Sequence, residues 1–69
     1  MFYFFQRAGN FVRCEIDGDD HSGYRVTVTE PDGEERDEQF ETSEAAHARW
    51  LEIQEQYRSD GWWGPHGRD

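Results

Sequence analysis

The stretch FETSEAAHARWLEIQEQYRSDGWW, residues 40–63, decides the fold. Ala46, Trp50, Ile53 and Tyr57 stand at offsets of four, seven and eleven residues, and at about 100° per residue all four fall in one narrow arc of a helix. Glu44, Ala48, Glu52 and Glu55 lie off that arc and face water, and Leu51 is a flank or exposed position. Thr42 or Ser43 supplies the start, because a hydroxyl there accepts from an unpaired N–H of the first turn. Glu44 places a negative charge at the positive end of the helix dipole. Gly61 supplies the stop, since the residue past a helix end commonly takes a positive φ that glycine adopts without a Cβ clash. In such a cap the next residue, Trp62, touches Tyr57. A helix with so narrow an apolar stripe is not buried all round and needs a surface to lie on.

The residues before it supply a sheet. FYFFQR, 2–7, reads as a strand, with Phe2 and Phe4 on one face and Tyr3 and Phe5 on the other. Ala8-Gly9-Asn10 is a short turn into a second strand, FVRCEI, 11–16, where Val12, Cys14 and Ile16 alternate with Arg13 and Glu15. DGDDHSG, 17–23, reads as a loop, and YRVTVT, 24–29, as a third strand turning Tyr24, Val26 and Val28 inward. Glu30-Pro31-Asp32-Gly33 is the strongest turn signal in the chain. EERDEQF, 34–40, follows as a strand whose charges suit a sheet edge.

Short hairpins make sequence neighbours into spatial neighbours. The expectation is an α+β fold: a four-stranded antiparallel meander followed by one C-terminal helix packed on one sheet face. Residues 1–63 then form a single ββββα domain, and 64–69, lacking apolar periodicity, a flexible C-terminal tail. The expected core is Val12, Cys14, Ile16, Tyr24, Val26, Val28, Phe40, Ala46, Trp50, Ile53, Tyr57 and one aromatic pair of the first strand.

The strings RCEI (13–16), YRVTVTEPDGEE (24–35) and YRSDGWWGP (57–65) resemble a group of small bacterial proteins of unknown function. The resemblance implies strands, a PDG turn and a helix ending in Gly-Trp, and it implies no activity. The WGR domain also joins a sheet to a helix, but its signature is missing here. Trp63-Gly64 is followed by Pro65 and lies beyond the helix.

Seven arginines, no lysine and sixteen acidic residues give a net charge of −9. Such a surface repels phosphates, so neither nucleic acid nor an anionic membrane is an expected partner, whereas a basic partner would be attracted. The same charge also serves solubility alone. Cys14 is the single cysteine, and MFYFFQR is too short for a signal peptide or a membrane span, so a cytoplasmic protein is expected.

Candidate chemistry is sparse. Asp17-Gly18-Asp19-Asp20-His21 spaces carboxylates as a calcium or magnesium loop does. Counted from Asp17, however, the sixth position is Ser22 and the twelfth Val28, where an EF-hand requires glycine and glutamate. A solvated turn is the better account. Cys14 lies among apolar strand positions, where a thiol is inert. It forms no zinc-ligand or nucleophile–base spacing with His21, His47 or His66. No Gly-rich loop opens a helix. The expectation is a protein that is not an enzyme, with no catalytic residue, no metal and no cofactor.

The aromatic excess says more: eleven rings in 69 residues, with one helix to cover one face. Tyr3, Phe5, Phe11, Trp62 and Trp63 are the candidate partner-binding residues. Either some of these rings fold back over the sheet, or they form a patch that binds another protein or a second copy of this one. A small acidic protein-interaction module, with a homodimer among its forms, is the function that fits best. The alternative is an acidic decoy or inhibitor, whose Glu34, Glu35, Asp37, Glu38 and Glu41 imitate nucleic-acid phosphates or cover a basic site on a target.

Overall fold

The structure, a computed structural model, describes residues 2–68, with Arg68 by its backbone alone. Strands β1 (Phe2–Arg7), β2 (Asn10–Asp19), β3 (Gly23–Thr29) and β4 (Glu35–Phe40) precede helix α1 (Ser43–Ser59), and a strand β5 (Trp63–Arg68) follows it. All pair antiparallel in one five-stranded sheet of order β4-β3-β2-β1-β5. The fold is α+β, and the four-stranded meander is present within it.

Three expectations are corrected. The sheet has five strands rather than four, and the segment expected as a flexible tail from residue 64 is the fifth; Asp69 lies outside the described residues. Gly64 and Pro65 together oppose the single residue Phe5, a bulge between the Phe4↔His66 and Gln6↔Trp63 pairs. An edge-strand bulge is where a proline without an N–H costs no ladder bond. The loop after β2 is also shorter than expected, since the β2–β3 ladder runs out to Asp19↔Gly23.

Each hairpin has a local cause. Ala8 and Gly9 both take positive φ, 50° and 81°, in a two-residue turn closed by the pair Arg7↔Asn10, the geometry that matches strand twist. In the second turn, Asp19 Oδ1 accepts from the N–H groups of His21 (3.0 Å) and Ser22 (2.7 Å). In the third, the Gly33 N–H donates to Glu30 O (2.9 Å) and the Glu30 N–H to Glu34 O (2.8 Å).

The helix begins with Thr42, whose Oγ1 accepts from the Ala45 N–H at 3.1 Å. It ends in a complete Schellman motif. The Gly61 N–H donates to Arg58 O (3.0 Å) and the Trp62 N–H to Tyr57 O (2.9 Å). Gly61 has φ +88°, and Trp62 meets Tyr57 edge-on at 5.8 Å. A Cβ at Gly61 would find only Arg7 Cδ, 4.0 Å away, so alanine there strains the backbone without a clash. Gly61→Ala should therefore cost about 1 kcal/mol, read as a lower urea midpoint at unchanged m-value.

Ala46, Trp50 and Ile53 are buried and press on one sheet face, where Phe5, Val12, Cys14, Val26 and Val28 close the core. The pairs Tyr3↔Cys14 and Phe5↔Val12 put Tyr3 and Phe5 under the helix. Tyr3 stacks on Trp50 at 4.8 Å and Phe5 on Tyr57 at 5.1 Å. At the rim, Tyr57 Oη donates to Glu30 (2.9 Å), which also takes Arg36, and Arg49 donates to Glu38 at 2.9 Å. No helix among the described residues is long and apolar enough to cross a membrane.

Candidate protein-docking face

Because strand side chains alternate, every residue between those core positions points to the other side of the sheet. The register places them in rows. His66, Phe4, Arg13, Thr29 and Glu35 form one row across all five strands. Phe2, Glu15, Thr27 and Asp37 form the next, and Trp63, Gln6 and Phe11 lie at one end. No helix covers this face: α1, the chain's one helix among the described residues, lies on the other.

Four of the rings on this open face touch one another. Phe4 meets Phe11 edge-on at 6.0 Å and His66 at 5.5 Å, and Trp63 stands edge-on to His66 at 4.4 Å. Phe11 is 52% and Trp63 68% exposed, while Phe2 and Phe4 are half-buried. Beneath Trp63, His66 Nε2 is buried and makes no hydrogen bond among the described residues. A buried polar atom left unpaired is uncommon and calls for a physical reason.

Charge borders the rings on the same face. Arg13 follows Phe4 in its row, and Glu15 follows Phe2. Glu35 and Asp37 stand at the far edge on β4, and Arg25 lies 4.0 Å from Asp17. Glu15, Glu35 and Asp37 have no ion pair among the described side chains.

No family model, curated protein or solved structure matches the chain.

Of the five residues named from sequence, Phe11 and Trp63 lie on the open face. The other three lie elsewhere. Phe5 is fully buried beneath the helix, and Tyr3 is half-buried against Trp50. Trp62 is held on the core side between Tyr57 and the Arg7 guanidinium, 4.7 Å from its ring. The helix stop sends consecutive tryptophans to opposite sides: Trp62 closes the core and Trp63 starts β5. Phe2, Phe4 and His66 take the places expected for Tyr3, Phe5 and Trp62. One signal could have found the two phenylalanines. A two-residue turn at Ala8-Gly9 forces Arg7↔Asn10 and hence Phe5↔Val12, which turns Phe2 and Phe4 outward.

The remaining candidates are accounted for locally. Burial, with the Glu30 charge nearby, pushes the Cys14 thiol up to about 12, so almost no thiolate exists near neutral pH. Asp19 is held below the usual carboxylate range by the Ser22 and His21 N–H groups it already serves. Among the described residues no three His, Cys, Asp or Glu side chains gather as metal ligands. A groove of about 440 Å³ between β4 and α1 contains Arg36 and Arg49, but each already faces a glutamate, Glu30 and Glu38. Tyr57, on that groove, is raised by burial and by its bond to Glu30 and donates rather than ionises.

Proposed function

We propose that this chain is a protein-interaction module that docks another protein on the open face of its sheet. The observation that carries the proposal is the contiguous cluster of Phe4, Phe11, Trp63 and His66 on the face opposite the helix, with Phe2 on the same face. Bare rings in water are costly, and contiguous ones mark interaction sites more often than single exposed residues do. The unpaired His66 Nε2 supports the same reading, because a docking partner that shifts Trp63 can supply its missing hydrogen bond.

An open sheet bearing rings is also a platform on which nucleic-acid bases stack. Here Glu15, Glu35 and Asp37 stand on the same face and the chain carries −9, so a phosphate backbone is repelled where it would have to lie. A second copy is a weaker occupant. Each copy would bring its nine excess negative charges to the other. The acidic decoy is the less favoured reading, because Glu35 and Asp37 face one side of β4, whereas Glu38 faces the other and is tied to Arg49.

A photo-crosslinking side chain in place of Phe11 tests the proposal in the cells that make the protein, with Leu51 as the control. Leu51 is equally exposed, at 50%, but lies on the helix. Discrete adducts with another protein from position 11 and none from position 51 are expected. Equal labelling from both positions, or adducts only with a second copy of the chain, would reject it.

A further inference from the structure

We infer that the segment docked on the open face is cationic and extended, carrying arginine or lysine beside an apolar anchor. This rests on the docking role proposed above and names the partner's chemistry.

The face divides into two halves. Its β5-β1-β2 half carries the rings Trp63, His66, Phe4, Phe2 and Phe11. Its β2-β3-β4 half carries Glu15, Asp17, Glu35 and Asp37 against Arg13 and Arg25. Arg25 is already beside Asp17. Glu15, Glu35 and Asp37 therefore present negative charge with no cation set against it among the described side chains. Ring faces attract cations through their quadrupole, and guanidinium does so with little loss of hydration. The chain uses both contacts for its own arginines, Arg7 over Trp62 at 4.7 Å and Arg49 on Glu38 at 2.9 Å. The open face offers the same two kinds of contact to a partner's arginine: ring faces beside Arg13, and the carboxylates of Glu15, Glu35 and Asp37, unpaired among the described side chains.

The strand spacing fixes the partner's length. From Phe4 on β1 to Glu35 on β4 is three strand spacings, about 14 Å. An extended chain covers that in about four residues. The partner thus carries an apolar or arginine anchor over Phe4, Phe11 and Trp63, with a basic residue about four positions away over Glu35 and Asp37.

The test is selection from a library of random dodecapeptides on the immobilised protein, with the double variant Phe11→Ser, Trp63→Ser as the counter-selection. Both substituted side chains are exposed, and cooperative unfolding of the variant verifies its fold. Peptides preferring the wild type should be enriched in Arg or Lys at about that spacing from an apolar residue. The affinity of the best of them should fall about tenfold from 50 to 300 mM salt, since exposed charge pairs are screened. Glu35→Gln with Asp37→Asn should weaken it about as much. Neutral or acidic winners that still require Phe11 and Trp63 would overturn the cationic partner and leave the docking face standing. Peptides that bind the double variant as well as the wild type, or no winners at all, would overturn both.

Discussion

Trp50→Ala is expected to destabilise the protein by about 3–5 kcal/mol, the usual cost of truncating a buried tryptophan. Trp50 is 4% exposed, stacks on Tyr3 at 4.8 Å and lies 6.0 Å from Phe5. With Tyr57, which stacks on Phe5, it joins helix to sheet. A domain of this length holds roughly 3–10 kcal/mol in total, so the variant should be largely unfolded near room temperature. Circular dichroism and urea titration read this directly. A cooperative variant with a midpoint near the wild type would show that the helix packs through another side.

Gly18→Ala is the second large effect, and its cause is backbone rather than core. Gly18 has φ +126° and pairs with Tyr24 near the end of the β2–β3 ladder. A Cβ there would lie 2.2 Å from Gly23 O and 2.7 Å from Tyr24 Cα. Those are main-chain atoms held in the hairpin, so relief means opening it. Strain at such a φ costs about 1–3 kcal/mol, and the overlap adds about 1–3 more. Thermal unfolding should show the loss, and amide exchange should show it concentrated at residues 17–25. An alanine variant as stable as Gly61→Ala would mean that the ladder ends before Gly18.

Gly18 also shows where the sequence is legible and where it is not. DGDDHSG reads as a loop because glycine and aspartate are poor strand residues, yet Gly18 and Asp19 are in the ladder. Partner strands outweigh local propensity there. The same holds for β5. Gly64, Pro65 and Gly67 remove every local strand signal, and only pairing with β1 makes the segment a strand. By contrast, Thr42, Gly61 and the Glu30–Gly33 turn act through their own neighbours, and each works as its residue type dictates.

The docking face was half legible for the same reason. Phe11 follows from alternation within one strand, and Trp63 from the stop at Gly61. His66 reaches the cluster only through β5, which is a long-range pairing. The assignment of Tyr3 and Phe5 rather than Phe2 and Phe4 turns on one residue of hairpin register, since a shift of one exchanges the two faces of a strand.

Everything proposed for this chain depends on one sheet having one sealed face and one bare one. Solvent paramagnetic relaxation by a neutral gadolinium chelate, measured on the ring protons of the free protein, tests that most directly. Phe11 and Trp63 should be strongly broadened, Phe2 and Phe4 partly, and Phe5 and Trp50 hardly at all. Protection of Phe11 and Trp63 in the free monomer, at a level matching Phe5, would contradict the account.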